Sequence, residues 1–381
     1  MNVTLITNIV TPYRMPVFEI LSSMNNINFR VLFCSSNESN RKWEVNIKDK
    51  ISSKILKGFK FKLKNNKGIY QERHINFSII KELNPLKENV IICGGYNSFA
   101  TIYSVLFCKL FNKKVVLWDE GTLNAQGNLM TFRKQIKKFL IKQTNAFIVP
   151  GIEAFEYLEY LGANKNKIFI APNSIDTKMF SKRIPVEKLE LLKQSLGLKG
   201  KIVLYVGRVV KLKGIKELID AYELILKKDI EVSLLIVGDG EDKEFFESYC
   251  RQKKLKNVVF TDFVEYNDLP RYYQIAKVFV LPTYQDVWGL VINEALTSEV
   301  PVVVSEFAGA ARSLVKNEKN GFIINPNNVE EIAEAAFKIL SEDKVYSKFC
   351  EESLNASRTH CPENTAAGFL KAVNYIENKN K

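Results

Sequence analysis

Histidine, paired cysteines and long apolar runs are what this 381-residue chain lacks. Its two histidines, His74 and His360, have no Asp, Cys or His set nearby at metal or triad spacing, which argues against a histidine metal site or a Ser-His-Asp centre. His74 reads as a loop residue and His360 as part of a C-terminal crossover. The six cysteines show no C-x-x-C or other paired spacing, and three lie in apolar runs, so neither a disulfide framework nor a zinc site is expected. A reducing, cytoplasmic setting fits. No run approaches the length of a transmembrane span, and Asn2-Val3-Thr4-Leu5-Ile6-Thr7 lacks the basic region and apolar core of a signal peptide. The expectation is a protein neither exported by a signal peptide nor integral in a membrane. A D-x-D pair of carboxylates, suited to a divalent ion, is also missing.

The chain is well supplied with apolar residues, at 46%, and its length suits two domains better than one. Charge is unevenly placed. Residues 1–172 hold 25 Lys and Arg against 12 Asp and Glu, whereas residues 173–381 hold 30 of each. The whole excess of +13 sits in the first half, which suggests that this half faces an anionic surface or substrate.

Short apolar runs alternate with helix-length segments throughout. They are 3–7, 29–34, 90–93, 115–118, 146–149 and 168–171, then 202–206, 232–237, 258–260, 278–281, 300–304 and 322–324. Near-continuous Val and Ile runs of this kind are buried parallel strands covered on both faces, so the fold class is α/β with two Rossmann-like doubly wound domains. The lysine-rich stretch Lys42–Lys67 breaks the rhythm and reads as a meander or edge hairpin. Turn chemistry in Ala171-Pro172-Asn173-Ser174-Ile175-Asp176 marks the junction. The expected domains are 1–172 with a returning helix in 361–381, and 173–360.

The most informative segment is Asp286-Val287-Trp288-Gly289-Leu290-Val291-Ile292-Asn293-Glu294-Ala295. It puts a carboxylate in a loop, a glycine at the mouth of a helix and a second carboxylate about a turn and a half further on. The helix start at Gly289, Leu290 and Val291 offers N–H groups and a positive dipole end to a diphosphate, while Glu294 and Asp286 can accept hydrogen bonds from ribose and sugar hydroxyls. Earlier, Gly207-Arg208-Val209-Val210-Lys211-Leu212-Lys213-Gly214 follows a strand; its glycines let backbone approach a ligand, Arg208 can fork two phosphate oxygens and Lys213 adds a point charge.

These two segments resemble the acidic-pair signature and the G-R-x-x-x-x-K-G loop of retaining glycosyltransferase family 4. Asp286 departs from the pattern, where glutamate is usual. The resemblance runs from Thr7-Asn8-Ile9-Val10-Thr11-Pro12-Tyr13-Arg14, similar to the T-P-Y-R entry of some members, to Glu363–Glu377, which would be the family's crossover helix. It implies the GT-B architecture of two facing Rossmann-like domains, with Gly240 in a V-G-D-G turn and Phe263-Val264 beside the base. Arg14 would meet phosphate of donor or acceptor, or serve local structure. Where many relatives have a histidine, the chain reads Trp118-Asp119-Glu120-Gly121, so Asp119 or Glu120 activates an acceptor hydroxyl or only caps a helix.

The implied reaction moves a sugar from a UDP- or GDP-sugar to an acceptor hydroxyl with retention, with no metal or other cofactor. The expected acceptor is a glycan or a polyprenyl-diphosphate-linked glycan in surface polysaccharide assembly. Two rivals are another GT-B enzyme such as a nucleotide-sugar epimerase, and a basic nucleic-acid-binding module, the latter poorly served by the few aromatics among Lys42–Lys67. An anionic membrane surface is a further expected partner. In Thr131–Gln143, Phe132, Ile136, Phe139 and Leu140 fall on one face, and Arg133, Lys134, Lys137, Lys138 and Lys142 cover the other.

Overall fold

A computed structural model describes residues 1–37, 47, 50–64, 70–95, 98–123, 131–228 and 230–378. The chain divides into two compact units, Met1–Asn173 with Pro362–Lys381, and Ser174–Cys361.

The first unit is built on a parallel sheet of seven strands. They are β1 (Asn2–Ile9), β2 (Asn28–Ser35), β3 (Ser52–Ile55), then β6 (Val90–Gly94), β7 (Lys114–Trp118), β8 (Ala146–Val149) and β9 (Ile168–Ile170), in the order β3-β2-β1-β6-β7-β8-β9. Side chains alternate across each strand, and both faces are covered, which is why the runs are apolar throughout. Ile6, Ile91, Leu117 and Phe147 enter one core with Val105, Leu140 and Leu158. Their neighbours Leu5, Ile92, Val116 and Ile148 enter the other, with Phe18 and Leu21 of helix Met15–Ser22 and Phe369, Val373 and Ile376 of helix Pro362–Asn378. This last helix thus packs on the first unit: Phe369 meets Trp118 edge-on at 5.0 Å, and Gly368 lies so close to Ala171 that an added Cβ would fall 2.5 Å from its Cα.

Of the stretch Lys42–Lys67, the described part adds β3 to the sheet edge and forms β4 (Phe59–Lys64), which pairs antiparallel with β5 (Tyr70–Ile75). Most of the remainder lies outside the described residues. His74 is not a loop residue; it is buried within β5, whose pairing with β4 continues through it. His360 sits in the second unit, its ring 6.1 Å from Trp288, and burial lowers its pKa to about 4.

The second unit carries six parallel strands, β10 (Lys201–Val206), β11 (Val232–Val237), β12 (Val258–Phe260), β13 (Val278–Leu281), β14 (Val302–Ser305) and β15 (Gly321–Ile324), in the order β12-β11-β10-β13-β14-β15. The direction of winding reverses between β10 and β13. Loops leaving the carboxyl ends of those two strands therefore flank a crevice, the place where open α/β sheets bind ligands.

Candidate functional site

Both motif-bearing loops of the second unit start at that reversal. Backbone ties fasten one to the other: Tyr284 N–H donates to Leu212 O at 3.0 Å, and Thr283 Oγ1 donates to the same oxygen at 3.3 Å. Gly214 makes the approach possible, because it has φ +71° and a Cβ there would lie 1.9 Å from Pro282 O. The result is an ion pair between the loops, Lys213 Nζ to Asp286 Oδ2 at 2.5 Å, with side chains 11% and 24% exposed.

Arg208, in the same loop, is exposed. Its carbonyl accepts from the buried Tyr205 hydroxyl at 2.8 Å, which fixes the loop from beneath. Gly207 and Gly240 lie where neighbouring loops meet; a Cβ on Gly240 would strike Val209 O at 2.3 Å. Asp239 Oδ1 accepts from Gly240 N–H at 2.8 Å and Asp242 Oδ2 from Lys211 N–H at 2.7 Å, so both acids brace the turn.

Gly289, at φ +93°, turns the chain into helix Leu290–Thr297, and the first N–H groups of that helix, from Leu290 and Val291, have no acceptor a turn earlier. Trp288 Nε1 donates to Asn293 Oδ1 at 2.9 Å, a buried bond that pins the entrance. Glu294 follows inside, 5% exposed, its Oε2 accepting from the Tyr273 hydroxyl at 2.7 Å. Burial raises its carboxyl from near 4.5 to about 7, against the lowering pull of Tyr273.

In the first unit the loops after β1 and β7 bring Arg14, Asp119 and Glu120 together. Arg14 donates to Thr7 Oγ1 at 2.9 Å and to Glu120 Oε1 at 3.0 Å, and its guanidinium lies 4.3 Å from the Trp118 ring centroid. Asp119 is buried: Oδ1 accepts from Gly121 N–H at 3.0 Å and Oδ2 pairs with Lys137 at 2.8 Å. Asp119 thus ties its own turn rather than capping a described helix. Lys137, itself buried, lies 4.2 Å from the Tyr157 ring centroid, and desolvation lowers its pKa to about 8 in spite of Asp119.

Lys137 corrects the expected helix faces. The inward stripe of Thr131–Gln143 is Lys137, Leu140 and Ile141, whereas Ile136 and Phe139 are exposed. Asp119 supplies the charge that makes a buried lysine tolerable. Lys134 is likewise engaged, donating to the Tyr160 hydroxyl at 2.7 Å. The side chains of Phe132 and Arg133 lie outside the described residues.

Residues 188–355, all within the second unit, match the family of glycosyl transferases group 1. That match covers less than half of the chain. An uncharacterized glycosyltransferase of Haemophilus influenzae is 27% identical over 297 residues, spanning 76% of this chain and 78% of its own length. The capsular polysaccharide biosynthesis glycosyltransferase CapM of Staphylococcus aureus is 33% identical over 189 residues, so the chain spans 48% of that relative. HepE of Anabaena, solved in complex with UDP, shares the two-domain GT-B fold at a TM-score of 0.78 and 16% identity, over 98% of this chain and 100% of its own.

Within the matched segment, Phe263 and Val264 follow β12 and are half-buried, and β11 separates β12 from the β10 end that leads to Lys213. The adjoining Thr261 Oγ1 accepts from Gly238 N–H at 3.3 Å, which links this loop to the one after β11. Tyr205 and Tyr273 are the residues that motif reading missed. Neither belongs to a spacing pattern, since Tyr273 precedes Glu294 by 21 residues on a different helix.

Proposed function

We propose that the chain transfers a sugar from a nucleoside diphosphate sugar to an acceptor hydroxyl with retention of configuration and without a metal ion. The observation that carries this reading is the Lys213–Asp286 ion pair, set beside the helix start at Gly289 with Glu294 buried behind it. Arg208, Lys213 and the N–H groups of Leu290 and Val291 would take up the charge that grows on the departing diphosphate. That is the work a divalent cation does elsewhere. Asp286 accepts from sugar hydroxyls while orienting Lys213, and Glu294 Oε1 accepts from ribose while Tyr273 holds Oε2. The departing phosphate serves as base on the front face, in place of the second carboxylate that double-displacement glycosidases use.

The donor is a UDP- or GDP-sugar, its base beside Phe263 and Val264. The acceptor is a glycan, carried on a polyprenyl diphosphate in surface polysaccharide assembly. Similarity to CapM supports the pathway, and the +13 excess in the first half supports an anionic acceptor met by Arg14. On this reading the protein works on the cytoplasmic side of the membrane.

A thermal-shift panel of nucleotide sugars followed by transfer assays tests the reading. Bound donor raises stability by mass action. Glu294→Ala is expected to weaken nucleotide binding by at least about tenfold, the equivalent of one hydrogen bond to a charged group. Asp286→Asn should lower turnover with nucleotide affinity spared. Turnover abolished by chelator and restored by Mg²⁺ or Mn²⁺ would remove the metal-free mechanism, and absence of stabilisation by every nucleotide sugar would remove the site.

A further inference from the structure

The first unit wears its apolar residues on the outside to an unusual degree. Among the described residues, 16 of the 20 large exposed apolar side chains belong to it, and four to the second unit. Many of them share one layer. On helix Phe99–Leu110, Ile102, Leu106 and Leu110 recur every fourth residue, which sets them in a single stripe, and Leu110 is 76% exposed. Helix Thr131–Gln143 packs alongside and adds Ile136 and Phe139. On the other side an aromatic row continues the surface: Phe59 of β4, 73% exposed, lies 6.4 Å from Phe77, which lies 5.2 Å from Phe99 at the start of the stripe helix.

The charge on this layer is of one sign. Neither helix contains an Asp or Glu. Exposed Lys109 sits beside Leu110 and exposed Lys138 beside Phe139, whereas Lys60 and Lys62 point from the face of β4 opposite Phe59 and Phe61. By sequence the unit carries 28 Lys and Arg against 14 Asp and Glu, and the second unit 27 against 28.

We propose that the outer face of helices Phe99–Leu110 and Thr131–Gln143, with the adjoining β4 strand, docks on an anionic lipid bilayer. Apolar side chains interleaved with lysine and free of carboxylates suit the boundary between headgroups and acyl chains. A protein partner fits less well, because interface centres are depleted of lysine. Nucleic acid fits less well too: Phe59, Phe77 and Phe139 have rings to stack on, but the aliphatic stripe of Ile102, Leu106 and Leu110 offers bases none. The docking face is therefore not the basic side of Thr131–Gln143 expected from sequence, where Lys137 is buried and Lys134 is engaged by Tyr160. The inference bears on the lipid-linked acceptor of the preceding section, yet its test reads binding and not sugar transfer, so either can fail alone.

The experiment is flotation of the full-length protein with vesicles of phosphatidylglycerol and phosphatidylcholine, against phosphatidylcholine alone, at low and high salt. Binding is expected to need phosphatidylglycerol and to weaken as salt shortens the screening length. Leu106→Ser/Leu110→Ser should lower the bound fraction at least about tenfold, and Lys109→Glu/Lys138→Glu should erase the preference for anionic vesicles. All four positions are exposed, so unchanged thermal unfolding of both variants is the folding control. Absence of binding to anionic vesicles, or variants that bind like the parent, overturns the proposal. So does self-association that Leu106→Ser/Leu110→Ser abolishes in a protein that ignores vesicles, which would make the face a contact between copies.

Discussion

Asp119 in the first unit and Glu294 in the second are both buried carboxyl groups, and they are held in opposite ways. Asp119 meets an ammonium, Lys137, at 2.8 Å, and its other oxygen takes the Gly121 N–H. Glu294 meets only a neutral phenol, Tyr273, at 2.7 Å, and burial lifts its pKa to about 7. A carboxylate matched by a buried cation has its electrostatic need met from within the protein. One matched by a hydroxyl gains from any further donor that arrives, as a ribose would be. The first arrangement ties a loop, and the second leaves a buried carboxyl without a charged partner among the described residues.

Removing the cation should have the largest effect. Lys137→Met is expected to cost about 3–5 kcal/mol, because Asp119 is left charged and buried, and adding Asp119→Asn should recover most of the loss. Urea unfolding reads both. A single variant within about 1 kcal/mol of the parent would mean that the pair does not hold the loop.

Glu294→Gln should act in the opposite sense. The folded pKa of Glu294 lies above its unfolded value, so the folded state binds more protons between about pH 4.5 and pH 7 and loses stability as pH rises through that window. At pH 8 the variant is expected to be more stable by up to roughly 3 kcal/mol, with no gain at pH 4, where the carboxyl is protonated in both states. Equal stabilisation at both pH values would show that the charge is not the cause.

Tyr273→Phe sharpens the contrast from the partner's side. It should cost about 1 kcal/mol and push the Glu294 carboxyl further up, since the lost bond favoured the charged form. Carboxyl-carbon NMR titration of labelled glutamate measures the displacement; a downward shift contradicts the account. The smallest effect belongs to Glu120→Gln, one residue from Asp119. The Arg14–Glu120 pair has side chains 23% and 28% exposed, so less than about 1 kcal/mol should be lost in the same urea assay. A loss as large as that of Lys137→Met would erase the distinction between a buried pair and a half-exposed one.

The architecture was legible because its cause is local. Runs such as Val232–Val237 and Val302–Ser305 are apolar at all but one position and buried at every one, which only a strand covered on both faces requires, and helix-length segments between them leave parallel pairing as the economical solution. Candidate reactive groups were legible where they sit in short segments, as in Gly207–Gly214 and Asp286–Glu294, whose loops meet in the fold. The faces of Thr131–Gln143 were not legible, because its apolar and basic residues both form stripes and nothing local says which turns inward. Asp119, at the end of β7, decided that.

By itself, then, the order of residues determined the period of each element and the reactive groups each loop carries, for both depend on neighbours a few positions apart. Which groups meet was decided in three dimensions. Lys213 and Asp286 are 73 residues apart and touch because β10 pairs with β13 rather than continuing in sequence. Burial raises the pKa of Glu294 while Tyr273, from another helix, opposes that rise, and Lys137 is buried because a strand end brings it a carboxylate. Such contacts follow strand order and helix rotation, which are properties of the whole packed chain.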